Sequence, residues 1–390
     1  MKPIHAGIIS LLFDRNAEGI CTGRLVRAML DEGFRISLLT SGRKEGQFQH
    51  PQLKKIVRVH RPNHPRSFFK WLAHRQNNIP NNYYLWTQMV SKLELGGDIP
   101  DVFYARSWPF ASLVPAFALS KKYKRPLILH FSDPFPPVAD PFESDPEFFK
   151  NLQLIADHAQ ALTFTNQETA AYQSRYINID ASKAFTLNHV APESHDYSHR
   201  GRAGHFYYIG SLSPTRAPDC LLDGFRIHLK SFPDSRLFFV GVRNGKQKKY
   251  LIQTIASRDL QSQTQVLAYN KYIWGMFKNA EALISIDAEV SPAVFTTTKI
   301  VEYLSTNRPV LAVTPKDSPV AKLMTRCRDG VYIVDDYRGQ SVADQLNRIR
   351  TAEWHADQFG QRKIVMHEFS GKTVATELKR IMQLTCGIQV

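Results

Sequence analysis

A lysine and a glutamate one helical turn apart, Lys299 and Glu302, follow a run of three threonines, Thr296 to Thr298. In a helix, Ile300, Val301, Tyr303 and Leu304 would supply the apolar contacts and leave the charged pair on another face. Thr298 then serves as N-cap, Asn307 closes the helix, and Pro309 blocks its continuation into the apolar run from Val310 to Val313. A helix start carries unpaired backbone N–H groups and a positive dipole end. A ligand phosphate can therefore sit near Thr297 and Thr298 while the Glu302 carboxylate, one turn later, takes hydroxyl protons from a sugar. The plainer role for the same pair is an ion pair on a helix surface.

A second stretch, YYIGSLSPTRAPD at 207–219, reads as a strand ending at Gly210, a loop with Ser211, Ser213 and Arg216, and a helix opened by Pro218. A guanidinium held in that loop can face a diphosphate, for which its fork of donors is suited. In the first half, strands at 101–104 and 126–131 end beside Arg106, Ser107, His130, Ser132 and Asp133. Loops at the carboxyl ends of parallel strands form the ligand crevice of an open α/β sheet, which makes these residues site candidates. His130 can equally be a satisfied core histidine. Gly19 and Gly23 lie in the strand–loop–helix unit that opens the chain, where backbone approaches a ligand or simply packs a helix start.

Positioning such residues requires a regular scaffold. Apolar strands at 4–10, 35–40, 101–104, 126–131, 161–164 and 184–187 alternate with helical periodicity, and a second series follows at 205–209, 236–241, 265–268, 282–286, 310–313 and 331–334. Between the series, residues 191–205 are polar, contain Pro and Gly, and have no apolar period. The expectation is a first Rossmann-like domain at 1–192, a linker at 193–204, a second Rossmann-like domain at 205–365, and a C-terminal helix at 366–390 that crosses back to the first domain. A chain of 390 residues with 43% hydrophobic content can enclose two such cores.

Composition narrows the setting. Cys21, Cys220, Cys327 and Cys386 have neither disulfide-framework nor metal-ligand spacing, which fits a reducing cytoplasm. The N-terminal apolar run is too short for a signal peptide, and no window reaches membrane-spanning length, so the chain is expected to be neither secreted nor integral. No Asp-x-Asp occurs, and Glu143 with Asp145 lies in a Pro-rich loop that reads as a solvated turn, so neither metal nor cofactor is expected. A net charge of +15 calls for an anionic partner. Between Glu45 and Glu94 there is no acidic residue, while Lys54, Lys55, Arg58, Arg61, Arg66, Lys70, Arg75 and Lys92 are interleaved with Phe68, Phe69, Trp71, Tyr83, Tyr84 and Trp86. That mixture at 54–92 suits an anionic membrane surface on the cytoplasmic side, or a folded excursion whose aromatics pack inward. Nucleic acid is disfavoured because no helix-turn-helix, zinc or RNP-type signature accompanies the charge.

Residues 296–312, TTTKIVEYLSTNRPVLA, resemble the donor-site helix of family 4 glycosyltransferases, in which a Lys and a Glu precede the phrase EYLA-small-GRPVLA. Residues 207–219 are similar to that family's phosphate loop, with Gly210 at its Gly, Ser211 at its Arg and Arg216 at its Lys. YARSWPFAS and LILHFSDPF resemble acceptor-side phrases of the same enzymes. The resemblance implies a GT-B fold, two Rossmann-like doubly wound α/β domains facing across a cleft. It also implies transfer of a sugar from a nucleotide-diphosphate sugar to a glycan or lipid-linked acceptor, as in polysaccharide biosynthesis, with retention. Glu302 and Lys299 would bind the donor with Thr297, Thr298, Gly210, Ser211 and backbone near Gly19. Arg216 would stabilise the leaving diphosphate, His130 or Asp133 would act on the sugar side, and Arg106 and Ser107 would meet the acceptor. Three usual positions depart from the pattern: Ser211, Ser132, and Val294 where the family carries a second Glu. These departures support an alternative, a non-catalytic GT-B partner subunit or sugar-nucleotide sensor.

Overall fold

A computed structural model describes residues 3–13, 16–41, 50–59, 84–107, 110–136, 138, 146–242, 245–269 and 273–388. The described residues divide into two compact units, one comprising Met1–Val190 with Phe369–Val390 and the other Ala191–Glu368. Each unit is built on a parallel sheet.

In the first unit the strands are β1 (His5–Ile9), β2 (Arg35–Ser41), β3 (Leu53–Val59), β4 (Val102–Arg106), β5 (Leu127–Phe131), β6 (Ala161–Phe164) and β7 (Ala184–Thr186), in the order β3-β2-β1-β4-β5-β6-β7. The alternation of side chains along β4 shows why both faces are covered. Val102 and Tyr104 enter one core with Leu25, Met29 and Leu38, whereas Phe103 and Ala105 enter the other with Leu113, Ala116 and Leu119. The helix Gly371–Cys386 belongs to this unit, where Val374, Leu378, Ile381 and Met382 join the first of these cores beside the helix Asn16–Asp31. Fully burying each such side chain contributes roughly 1.5–3 kcal/mol.

In the second unit β8 (His205–Ile209), β9 (Arg236–Val240), β10 (Thr264–Leu267), β11 (Ala282–Ile286), β12 (Val310–Val313) and β13 (Val331–Val334) lie in the order β10-β9-β8-β11-β12-β13. Residues 193–204, expected to be a linker, are tied into this unit. Arg200 pairs with the buried Glu281, and Tyr197 exchanges backbone hydrogen bonds with the Asn307 side chain at 2.9 and 2.8 Å.

Of the basic and aromatic span at 54–92, residues 60–83 lie outside the described residues. Lys54, Lys55 and Arg58 lie on β3, and Trp86 is fully buried in the first unit's core, so its ring packs inward instead of facing a membrane. Glu143 and Asp145 also lie outside the described residues. All four cysteines are free, and among the described residues no helix is long and apolar enough to cross a membrane.

Candidate functional site

Both sheets reverse their strand order once, at β1/β4 and at β8/β11. The chain leaves the two central strands in opposite directions there, which opens a crevice at their carboxyl ends. In the second unit three segments meet at that crevice: the loop after β8, the loop after β11, and the helix Thr298–Leu304.

Tyr303 fixes this helix to the strand. Its hydroxyl accepts from the Ile209 backbone N–H at 3.0 Å and donates to the Ile209 carbonyl at 3.2 Å. β11 pairs with β8 only as far as Tyr208, so at the next residue a side chain supplies the partner that the neighbouring strand no longer offers. Lys299, one turn before Tyr303, is thereby directed back over β8. Its Nζ donates to the Tyr208 hydroxyl at 3.0 Å, and that hydroxyl donates onward to the Ser211 carbonyl at 2.7 Å. Gly210 has φ +135°, and a Cβ there would lie 3.2 Å from the Lys299 Nζ, so the bare backbone makes room for the ammonium.

Burial and then Arg216 lower the Lys299 pKa, Asp287 and Glu302 oppose the shift, and the net result is a pKa of about 7. Arg216 is half-buried in the turn it closes with Ser213, and its Nε has no hydrogen-bond partner. Glu302 is half-buried one turn along the helix from Lys299. The structure therefore brings Gly210, Ser211, Arg216, Lys299 and Glu302 to one crevice. The N-cap is Thr297, one residue before the position expected from sequence, and it caps through backbone conformation alone. The Thr297 Oγ1 is buried without a partner, and Thr298 is the first helical residue.

At the corresponding reversal point of the first unit, three described side chains satisfy one another. Arg106, the last residue of β4, donates through Nε to Glu18 at 2.7 Å and through Nη2 to the Ser132 hydroxyl at 2.9 Å. Ser132 closes the triangle by donating to Glu18 at 3.1 Å. Burial opposes the Arg106 charge, but Glu18 more than offsets it and holds the guanidinium protonated beyond the ordinary arginine range. The expectation that Arg106 meets an acceptor is thus corrected: its fork is occupied by Glu18 and Ser132, and it is 3% exposed. Ser107 is also fully buried, with its N–H on the His130 carbonyl at 2.8 Å and its hydroxyl unpartnered.

His130 hydrogen-bonds through Nδ1 to the Thr163 hydroxyl at 3.0 Å, and that hydroxyl itself donates to the Leu129 carbonyl. The network therefore assigns the imidazole proton to Nδ1. Burial, then Arg106 and His189, push the His130 pKa well below its ordinary value, so the ring is neutral. It stacks on Tyr104 with centroids 6.0 Å apart, inside the core and not on an open surface. Asp133 is half-buried on the bend after β5. The first helix begins at Asn16, ahead of the start near Gly19 expected from sequence, which places Gly19 inside the helix.

No protein-family model and no curated protein matches this sequence. Solved structures do match it along their whole length. Anabaena Alr3699/HepE, in complex with UDP and glucose, superposes with a TM-score of 0.70 at 15% identity, over 98% of this chain and 100% of that one. Sucrose-phosphate synthase from Thermosynechococcus elongatus gives 0.70 at 12% identity, over 98% and 99%. A glycosyltransferase from Rickettsia africae gives 0.67 at 12% identity, over 99% of each chain. The chain has the GT-B fold. Within the GT-B frame, residues that spacing did not single out join the second unit's crevice. Asp287 closes the apolar strand ALISI at its carboxyl end, and a charge at the end of a buried strand is a signal the sequence does carry. Tyr208 reads in sequence as one more aromatic strand residue, and nothing local marks it as the support of a lysine 91 positions away.

Proposed function

We propose that this chain is a glycosyltransferase of the family 4 type, which moves a sugar from a nucleotide-diphosphate sugar to a glycan or lipid-linked acceptor with retention and without a metal. The observation that carries the reading is the convergence of Arg216, Lys299 and Glu302 on the β8/β11 crevice. HepE, which has the same fold, holds UDP and glucose in one structure and UDP-glucose in another.

Arg216 and Lys299 bind the diphosphate, and Glu302 accepts hydroxyl protons of the ribose. As the bond from sugar to phosphate breaks, negative charge grows on the leaving diphosphate. Two cations fixed beforehand at that place lower the barrier without any reorganisation at the moment of reaction. Lys299 is poised for this role, because a phosphate beside it restores the proton that burial and Arg216 disfavour. Retention here requires no protein nucleophile. Among the described residues no group of His, Cys, Asp and Glu is arranged to hold a metal ion, and in this reading the charge stabilisation falls to the two cationic side chains.

The non-catalytic alternative draws on Val294, which is buried and apolar, and on Ser132, which is enclosed in the Glu18–Arg106 triangle. Incubation with radiolabelled nucleotide sugars separates the readings. Transfer or slow donor hydrolysis that persists in chelator supports the enzyme. Activity restored only by magnesium or manganese would contradict the cation role of Arg216 and Lys299, and nucleotide binding without turnover with any acceptor extract would favour the sensor.

A further inference from the structure

Asp287 is the first residue beyond β11, and it is 7% exposed. Its backbone is held, with the N–H on the Val313 carbonyl at 2.8 Å and its own carbonyl accepting from Tyr337 at 3.3 Å. Neither carboxylate oxygen has a hydrogen-bond partner. Thr314 lies close enough to favour the charged form without meeting hydrogen-bond geometry. A carboxylate taken from water without hydrogen bonds costs stability, and native chains seldom keep one without a use for it.

The surroundings indicate what that use is. Arg216 and Lys299 both act on Asp287 electrostatically, yet neither hydrogen-bonds it, and the Arg216 Nε is itself buried and unpartnered. A group meant only to neutralise the two cations would close an ion pair with them. Acceptor oxygens and cationic donors that share a crevice without satisfying one another fit a ligand that carries both hydroxyl donors and anionic oxygens. A sugar esterified to a diphosphate has both. Elsewhere in the loop after β11, Glu289 is exposed and position 294 is a buried valine, so Asp287 is the buried carboxylate this loop offers.

We infer that Asp287 is a specificity-determining residue that accepts a hydrogen bond from a hydroxyl of the transferred sugar, while the attached diphosphate meets Arg216 and Lys299. This rests on the nucleotide-sugar reading above and adds to it the residue that tells a nucleotide sugar from the bare nucleotide. Burial holds the Asp287 pKa above its ordinary value, opposed by Thr314, Arg216 and Lys299, so the carboxylate gains from a hydroxyl donor that favours its charged form.

The test compares the full-length wild type with Asp287→Asn and Asp287→Ala by calorimetric titration of UDP, GDP and ADP and of UDP-glucose, GDP-mannose and ADP-glucose. The wild type should bind one nucleotide and its sugar ester. In both variants affinity for the sugar ester should fall about tenfold or more, while affinity for the free diphosphate changes less than about threefold, since only the ester presents the hydroxyl. The melting temperature of the unliganded variants should stay the same or rise, because an unpartnered buried carboxylate has been removed. Equal losses for diphosphate and ester, or no loss for either, would overturn the role of Asp287 while leaving the nucleotide-sugar reading in place. A wild type that binds none of the six would overturn that reading and this one with it.

Discussion

The Lys299 ammonium donates to the Tyr208 hydroxyl at 3.0 Å and lies 4.1 Å from the centroid of the same ring, so one aromatic residue holds the cation both by its edge oxygen and by its face. Most side chains that could balance the charge act at a distance. Arg216 from the loop after β8 repels it, and Asp287 from the end of β11 and Glu302 from its own helix attract it. Together with burial, this leaves Lys299 at a pKa of about 7 against an ordinary 10.5.

The pH dependence of nucleotide binding follows from that value. Between pH 7 and 10.5 the folded, unliganded protein holds fewer protons at Lys299 than the unfolded chain does, so this group's contribution to stability rises with pH across that window. A bound diphosphate reverses the preference. Binding above pH 7 should take up a proton, and affinity should decline as pH rises beyond about 7. Calorimetry at pH 8 in buffers of different ionisation enthalpy should show this uptake in the wild type and its loss in Lys299→Met. Equal uptake in both proteins would place the titrating group elsewhere.

Gly210 should tolerate no side chain. At φ +135° an alanine is strained by about 1–3 kcal/mol, and its Cβ would press on the Lys299 Nζ from 3.2 Å. Gly210→Ala should therefore lower the melting temperature and weaken diphosphate binding together. A variant with wild-type melting and affinity would show that neither the backbone conformation nor the close approach matters.

The Glu18–Arg106–Ser132 triangle predicts a stability effect in the first unit. Removing one partner of a buried ion pair leaves the other charge uncompensated and costs about 3–5 kcal/mol. Glu18→Ala should move the urea midpoint of the unfolding transition that contains this unit to lower concentration, whereas Ser132→Ala should shift it far less. Unchanged unfolding of Glu18→Ala would mean that Arg106 finds water or another acceptor.

Strand periodicity and the Gly, Pro and Thr punctuation around 207–219 and 296–312 suffice to read every strand of both sheets except β3, because those signals are local. β3 (Leu53–Val59) is masked by its lysines and arginine, which make it read as part of the basic span at 54–92. Helix starts are displaced: Thr297 in place of Thr298, where adjacent threonines offer equal caps, and Asn16 ahead of Gly19, where a polar loop runs into the helix without a break. Pairings distant in sequence are not legible. Glu18 and Arg106 are 88 residues apart, and Lys299 and Tyr208 are 91 apart. No spacing argument connects either pair, so Arg106 reads as open to a ligand and Tyr208 as filler. For Asp287 the local signal, an acid at the end of an apolar strand, is present in the sequence, but it does not separate a site residue from a surface turn until its burial is known.

The most direct test of the central claim is the affinity of the cognate nucleoside diphosphate for the wild type, Arg216→Ala and Glu302→Gln, measured by titration calorimetry with melting curves as a fold control. Hydrogen bonds to charged groups contribute about 1.5–3 kcal/mol, so each variant should bind about tenfold or more weakly while melting like the wild type. Undiminished nucleotide affinity in both variants would contradict the assignment of the β8/β11 crevice as the donor site.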